Sequence, residues 1–310
     1  MTKTTRRSFL KAAAAGCGLW ATGCTRKIAW PVSGSDRGTL RLGFYTDVHA
    51  RTEWSTPKAM SQATEAINRR HVDIVLAGGD LITDGFQSSA QSVEPRWDAY
   101  MKMHQAINAE LYPAIGNHDL VAAIPEDGSR PAGDPRSVFL SKMGLDRTYY
   151  SFDALGYHFI ILDSILVTGD ADKYQGMIWP EELDWLERDL AMVSRATPVV
   201  IVTHIPLLTS FFGATRGAAF PAEKNRVVVN NHDVLKMLQK YHLLLVLQGH
   251  MHVKEMLMWR ETTFITGGAV CGKWWRGPWL GTEEGFNILT LTEDRVYWEY
   301  IDYGWQALRP

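Results

Sequence analysis

The chain has 310 residues, of which 46% are hydrophobic, 21% are charged and 11% are aromatic. This composition is typical of a globular protein and excludes a disordered, collagen-like or coiled-coil chain. A chain of this length can bury a large core, so it needs neither a disulfide nor a metal ion to fold. The formal net charge of −2 argues against a nucleic-acid partner, which would require an excess of Lys and Arg.

Residues 1–24 have the pattern of a signal peptide: a basic start, a short apolar stretch and small residues before Cys24. The apolar stretch has about 11 residues, well short of the roughly 20 that span a bilayer. Arg6-Arg7 followed by Phe9-Leu10-Lys11 resembles a twin-arginine signal, so we expect the twin-arginine export machinery as a partner. Without this segment, 28 basic residues face 34 acidic ones, a charge near −6. We expect an exported protein of the bacterial periplasm or cell envelope.

The four residues Ala21-Thr22-Gly23-Cys24 resemble a lipoprotein cleavage box, although leucine is commoner where Ala21 stands. Cys24 would then carry a lipid anchor; a plain cleaved signal is the alternative. Residues 25–38 are polar with Pro and Gly and are typical of a tether. Residues 39–310 are predicted to form a single domain with a β-rich C-terminal part. If Cys24 is acylated, Cys271 has no partner for a disulfide.

Apolar strands alternate with helices along this domain, which predicts an α/β fold. The strands are predicted at Leu40–Thr46, Val72–Ala77, Leu111–Ile115, Tyr149–Phe152, His158–Leu162, Pro198–Thr203 and Leu243–Leu247. The helices are predicted at Thr56–Arg70, Trp97–Asn108, Pro180–Leu190 and Asn231–Lys240. The remaining pattern is all strand, at Val253–Met258, Thr262–Thr266, Phe286–Leu291 and Arg295–Ile301.

Polar side chains follow five of these strands where each strand ends. The clusters are Asp47-Val48-His49, Gly79-Asp80, Gly116-Asn117-His118-Asp119, Thr203-His204 and Gly249-His250-Met251-His252. Ligand sites in α/β proteins lie at the carboxyl ends of strands, so we expect the clusters to converge on one edge of the sheet. Their oxygens and imidazole nitrogens suit zinc, manganese or iron. These side chains are too many for one tetrahedral site and suit two ions that share a bridging carboxylate.

In this order, the five clusters resemble the motif series of the calcineurin-like metallophosphoesterases, over about residues 40–300. The resemblance is to the cyclic-nucleotide-phosphodiesterase-like branch, and it implies a four-layer α/β/β/α sandwich with two central mixed β-sheets. It also implies two divalent metal ions (Mn, Fe or Zn). One ion would be held by Asp47, His49 and His252 and the other by Asn117, His204 and His250, with Asp80 as the bridge.

The same resemblance implies that a metal-bridging hydroxide attacks phosphorus, with His118 as the general acid for the leaving oxygen. Asp119 would orient His118 by accepting its other ring proton. The substrate would be a small-molecule phosphoester or a lipid head group, and phosphodiesterase activity is favoured over phosphomonoesterase activity. The purple acid phosphatases are disfavoured, because they place a Tyr near Asp84 and lack the counterpart of His49. Asp84 is then either a hydrogen-bond acceptor near the site or a turn residue.

The glycine-rich segment 267–278 follows a predicted strand and carries a Trp pair between two cations. Trp274 and Trp275 could stack on a base or sugar while Lys273 or Arg276 meets a phosphate. The alternative is a packed loop with Trp anchors, since Trp is often heavily buried. Cys271 is expected to be a small buried residue rather than a nucleophile.

The leading interpretation is an exported, metal-dependent phosphoesterase. One alternative is a non-catalytic metal-binding protein of the envelope, but such proteins usually lose a ligand or the general acid, and here all are present. A nuclease of the same fold is disfavoured by the negative charge. The histidines outside the motifs are expected to be surface or hydrogen-bonded residues: His71, His104, His158, His232 and His242.

Overall fold

The computed structural model describes residues 38–292 and 295–308. The strands are β1 (Leu40–Tyr45), β2 (Ile74–Ala77), β3 (Glu110–Pro113), β4 (Tyr150–Ala154), β5 (Tyr157–Ile161), β6 (Ile165–Val167), β7 (Tyr174–Gly176), β8 (Val199–Thr203), β9 (Leu243–Gln248), β10 (Lys254–Trp259), β11 (Thr262–Gly267), β12 (Gly285–Leu291) and β13 (Val296–Asp302). The helices are α1 (Thr56–Asn68), α2 (Ala90–Ala106), α3 (Ser137–Met143), α4 (Pro180–Ala191), α5 (Phe211–Arg216) and α6 (Asn231–Leu238).

The predicted signal peptide, Cys24 and all but the last residue of the tether lie outside the described residues. Export and lipidation therefore stay predictions. None of the helices in the described part combines the length and the apolar character needed to cross a bilayer.

The described strands form two large mixed sheets and one small hairpin. The first sheet has the order β13-β12-β1-β2-β3, and the second has the order β10-β11-β9-β8-β5-β4. Strands β1, β2 and β3 are parallel to one another, as are β5, β8, β9 and β11, while β4, β10, β12 and β13 pair antiparallel. The predicted α/β fold with two mixed sheets is confirmed.

Alternation along the strands divides the side chains between two cores. In β1, Leu42 and Phe44 belong to a core shared by inward-facing residues of both sheets, whereas Tyr45 belongs to the core that includes the helices. In β5, Phe159 belongs to the core between the sheets and Ile160 to the core that includes the helices. Successive side chains of a strand point to opposite faces, so the inner faces of the sheets pack together and the outer faces pack against helices. The result is the four-layer arrangement.

The structure also contains elements that the sequence pattern did not predict: α3, α5 and the β6–β7 hairpin. They are short, and elements of this length carry too few residues to show a period. Helix α2 begins at Ala90, well before the predicted start at Trp97. Ser89 caps it, since its side chain accepts a hydrogen bond from the backbone N–H of Ser92.

His158 links β5 to its neighbours through two carboxylates. Its Nδ1 lies 2.7 Å from Asp153 Oδ1 on β4, and its Nε2 lies 2.8 Å from Asp189 Oδ2 on α4. Burial alone would lower the pKa of His158, but the two carboxylates outweigh burial and raise this pKa to about 9. His158 is thus a hydrogen-bonded histidine outside the motifs, as predicted.

We expect His158→Gln to lower the free energy of unfolding more at about pH 6 than at about pH 9.5. The raised pKa means that the protonated ring stabilises the folded state fully below the unfolded-state pKa of about 6.5. That stabilisation is lost as the pH rises through about 9. The expected loss at the lower pH is about 1–3 kcal/mol, measured by urea denaturation. His232→Gln, at a side chain that is 88% exposed, is the control, and equal losses for His158→Gln at both pH values would contradict the prediction.

Candidate metal centre

The predicted ligand residues lie together, but they come from both sheets rather than from one. Asp47, Asp80 and Asn117 follow β1, β2 and β3 of the first sheet, whereas His204 and His250 follow β8 and β9 of the second. The backbone N–H of His250 donates to Asp47 Oδ2 at 3.0 Å, which joins the two sets. The expectation that the clusters converge on the edge of a single sheet is therefore wrong. Because the inner faces of the two sheets pack together, the carboxyl ends of β1 and β9 lie side by side.

The backbone at the ends of these strands is strained. Five of the ligand candidates are non-glycine residues with left-handed backbone: Asp47, His49, Asp80, His250 and His252, with φ of 53°, 45°, 52°, 70° and 56°. This conformation is unfavourable for L-residues and is concentrated at functional sites. Gly116 is required for the approach of the loops, since a Cβ there would lie 2.1 Å from the backbone nitrogen of Asp80. The loops after β1, β2 and β9 therefore turn sharply where they carry their donor atoms.

The donor atoms form two halves that share Asp80. In one half, His252 Nε2 lies 3.2 Å from Asp47 Oδ1 and 3.1 Å from His49 Nε2. In the other, His204 Nε2 lies 3.2 Å from Asn117 Oδ1 and 3.3 Å from His250 Nδ1. Asp80 Oδ2 is 3.5 Å from His49 Nε2 and 3.2 Å from His204 Nε2. One carboxylate oxygen thus faces both halves, as a bridging ligand must.

Three of the histidines use one ring nitrogen to hold the ring in place. His204 Nδ1 donates to the carbonyl of Gly78 at 2.8 Å, His250 Nε2 donates to that of Asn225 at 3.0 Å, and His252 Nδ1 donates to that of Gly272 at 2.6 Å. When such a ring is neutral, its other nitrogen carries a lone pair that points into the centre.

These lone pairs face other acceptors, an arrangement that is repulsive unless a proton or a cation lies between them. Asp47 Oδ1 is buried and has no hydrogen-bond partner in the described part of the chain, and the same holds for His49 Nδ1. Protons alone would have to satisfy many contacts between acceptors at once. Two divalent cations satisfy them together, so the residues fit a two-metal centre.

Charge and burial act against each other in the centre. Burial would raise the pKa of Asp47, but His252 and His204 outweigh burial and hold this pKa at about 2. Burial would lower the pKa of His204, but Asp80 outweighs it and raises that pKa to about 9. Burial lowers the pKa of His49 and of His250. The carboxylate of Asp47 is therefore ionised at neutral pH, and a cation that binds His204 must displace a proton.

His118 is oriented by Asp84, not by Asp119. The backbone N–H of Asp84 donates to His118 Nδ1 at 3.0 Å. Asp119 instead accepts the backbone N–H groups of Leu81 at 2.8 Å and Gly116 at 2.9 Å, and that of Ile82 at 3.1 Å. The prediction that Asp119 accepts the ring proton of His118 is therefore wrong. The short 3₁₀ helix Asn117–Asp119 turns the Asp119 side chain towards the backbone of the neighbouring loops. There, three backbone N–H groups donate hydrogen bonds to its two oxygens.

Some residues of the Trp-rich segment are buried in the protein, and others lie at its surface. Trp275 is 1% exposed, and its Nε1 donates to the carbonyl of His49 at 3.0 Å, so it anchors the loop, in line with the alternative of a packed loop, and its buried ring offers no face for stacking. Trp274 is half-buried, with its ring 4.6 Å from that of His252. Lys273 and Arg276 are exposed and lie over the rings of Trp279 and Trp54, at 5.4 Å and 5.6 Å.

Several groups in and around the centre carry no sequence signal. The backbone carbonyls of Gly78, Asn225 and Gly272 are invisible in a side-chain motif, because every residue has such a carbonyl. Tyr174, from the unpredicted hairpin, has its ring 6.3 Å from that of His250. Cys271 is fully buried, as predicted, but its Sγ is only 3.8 Å from His252 Nδ1. Only the folded chain brings these groups to the ligands.

Comparison with known proteins agrees with this geometry. Residues 40–254 match the family model described as calcineurin-like phosphoesterase. The chain belongs to this family. As a calcineurin-like phosphoesterase, it is also similar in fold to a dimetal phosphatase from Danio rerio, with a TM-score of 0.62 and 18% identity over 86% of this chain and 96% of that one.

Curated relatives of this calcineurin-like phosphoesterase carry both phosphatase and phosphodiesterase names. It is 28% identical over 212 residues to a protein of Arabidopsis thaliana named Probable purple acid phosphatase 20, covering 66% of this chain and 43% of that protein. It is 23% identical over 203 residues to a 3′,5′-cyclic-nucleotide phosphodiesterase of Nostoc sp., covering 66% and 64%. The chain thus spans less than two thirds of the length of either relative. Metallophosphoesterases use two divalent metal ions, so the predicted cofactors are confirmed.

We expect Asp119→Asn to destabilise this calcineurin-like phosphoesterase, because the new amide places N–H groups against backbone N–H donors. The expected loss is about 2–3 kcal/mol in the free energy of unfolding, measured by urea denaturation, together with weaker retention of metal. Asp98→Asn, at an exposed position on α2, is the matched control. If Asp119→Asn were as stable as the wild type and lost only kcat, a role for Asp119 through His118 would be restored.

Proposed function

We propose that the protein is an exported, two-metal phosphoesterase that hydrolyses phosphodiesters in preference to phosphomonoesters. The proposed substrate is a small-molecule phosphoester or a lipid head group of the cell envelope. The observation that carries the proposal is the complete donor set around Asp80, with a ring nitrogen of His118 within 4.8 Å of ligand atoms of His49 and Asp80.

The residues divide the work of the reaction between them. Bound divalent cations would lower the pKa of a water molecule and stabilise negative charge on the phosphoryl oxygens. Asp47 and Asp80 supply the negative charge that holds these cations, and the backbone carbonyls fix the directions of the imidazole rings. The water loses a proton as its oxygen bonds to phosphorus, the ester P–O bond breaks, and the leaving oxygen takes up one proton, so each ester hydrolysed consumes one water molecule.

His118 is suited to assist the leaving group. Since its Nδ1 accepts the N–H of Asp84, the proton of the neutral ring is on Nε2. In this form Nε2–H can donate a hydrogen bond to an oxygen that gains charge in the transition state. To act as the general acid, the ring would need a second proton on Nδ1, where the Asp84 N–H already points. The hydrogen bond therefore favours stabilisation of charge over complete proton transfer.

The curated relatives carry both phosphatase and phosphodiesterase names, so they do not decide between the two ester classes. The preference for diesters rests on His49. His49 stands in the centre, at the position where the resemblance places no histidine in purple acid phosphatases. The geometry does not favour the alternative of a non-catalytic envelope protein, because the predicted ligands and His118 all lie at the centre.

The proposed location rests on residues 1–24, with Arg6-Arg7 as the export signal and Cys24 as the site of a lipid anchor. A metal enzyme gains from this route, because it can fold and bind the correct ions before it leaves the cytoplasm. The single free cysteine of the described residues, Cys271, is fully buried and so is compatible with an oxidising compartment.

We expect manganese-dependent hydrolysis of aryl phosphodiesters that is abolished by a chelator and reduced about 100-fold to 10,000-fold in His118→Ala. How this loss of activity depends on the leaving group distinguishes the two possible roles of His118, proton transfer and hydrogen bonding. A loss that grows with the basicity of the leaving group indicates proton transfer, and an equal loss for all leaving groups indicates a hydrogen bond. His232→Ala is the control, and full activity of His118→Ala would contradict the proposal.

We expect the double substitution Arg6→Lys with Arg7→Lys to retain the protein in the cytoplasm, because the twin-arginine route requires the arginine pair. The measurement is fractionation of cells followed by immunoblotting, with Lys3→Arg as a variant that keeps the pair intact. Normal export of the double mutant would refute the twin-arginine assignment. Labelling with a radioactive fatty acid, compared with Cys24→Ala, tests the lipid anchor in the same cells.

A further inference from the structure

We infer that Trp274 is a stacking surface for a flat, aromatic ring in the leaving group, such as the base of a nucleoside or an aryl ring, and so determines substrate specificity. This inference rests on the proposed phosphoesterase function and adds to it the chemical class of the leaving group. It concerns a residue that holds no metal and donates no proton.

The loop that carries Trp274 is tied to the metal ligands by four hydrogen bonds. The backbone N–H groups of Val270 and Cys271 donate to the carbonyls of Thr46 and Asp47 at 3.1 and 3.2 Å. His252 Nδ1 donates to the carbonyl of Gly272, and Trp275 Nε1 donates to the carbonyl of His49. The loop therefore keeps a fixed position relative to the half of the centre that contains His49 and His252.

The backbone of the Trp pair is strained in a way that separates the two rings. Trp274 and Trp275 both have left-handed φ, 48° and 67°, and neither is a glycine or an asparagine. Trp275 is buried to 1% exposure as the anchor, while Trp274 stays half-buried. A packed loop needs only one such anchor, so burial alone does not account for the strain at Trp274.

The ring of Trp274 borders the reactive part of the centre. Its centroid lies 4.6 Å from that of His252 and 6.1 Å from that of His49. The ring of His118 also neighbours that of His49, with the two centroids 4.6 Å apart. A leaving group whose oxygen meets His118 is therefore in the same half of the centre as Trp274. The ring of Trp279 packs edge-on against Trp274 at 6.3 Å and supports it from the side.

A flat leaving group suits this position better than a small polar one. The exposed part of an indole ring offers apolar area and a π face, which favour stacking with any aromatic ring. Lys273 and Arg276 lie over the rings of Trp279 and Trp54, so they flank the surface with positive charge. The surface thus favours an aromatic group attached to an anion.

The test compares hydrolysis of methyl 2-naphthyl phosphate and methyl phenyl phosphate by the full-length, metal-loaded protein. Both esters release a phenol-type leaving group of similar basicity, and mainly the ring area differs. We expect Trp274→Ala to lower kcat/KM about 10-fold for the naphthyl ester and less for the phenyl ester, mostly through KM. Trp274→Phe should recover part of the loss. Trp259→Ala, at an exposed Trp on β10, should change neither substrate.

An equal loss for both esters in Trp274→Ala, or a loss that follows the metal content, would overturn the inference and leave a structural role. A second measurement keeps this test separate from the proposed function. Calorimetry compares binding of 2-naphthylmethyl phosphonate and cyclohexylmethyl phosphonate to the wild type and Trp274→Ala. Tighter binding of the naphthyl compound only in the wild type supports stacking even if neither ester is hydrolysed. Equal affinity of the two compounds overturns it.

Discussion

The structure depends on holding hydrogen-bond acceptors against one another in a buried place. Asp47, Asp80 and four imidazole rings bring lone pairs to within 3.1–3.5 Å of each other, where water cannot separate them. In the absence of a cation this arrangement is costly, because buried charges and lone pairs lose their hydration. Left-handed backbone at strand ends and carbonyls behind the rings hold the atoms in place, so the donor set is arranged before a cation binds.

The sandwich supports the metal centre mechanically. Two sheets pack face to face over a dry core, and helices cover their outer faces, which gives the strand ends a rigid base. Asp119 illustrates how far the support extends. It binds no partner in the centre itself, yet its two oxygens fasten the loops after β2 and β3 to each other. A carboxylate of a catalytic motif is here a structural element of the loops.

The segment after β11 connects the metal centre to the surface where a substrate would bind. Trp275 anchors it to the carbonyl of His49, and the half-buried ring of Trp274 borders that of His252. The same loop also supplies the carbonyl that orients His252. Metal binding and the proposed recognition of the leaving group would therefore be coupled through one short stretch of backbone.

The sequence by itself determined the alternation of strands and helices, the five polar clusters and the ligand types, because strand period and donor chemistry are local properties. It also identified the family, since the clusters keep their order along the chain. Tertiary structure alone decided that the ligands come from two sheets, that Asp84 rather than Asp119 orients His118, and that Trp274 and Trp275 differ. Each of these depends on contacts between residues distant in sequence, where backbone direction and burial choose among partners that composition and spacing leave equivalent.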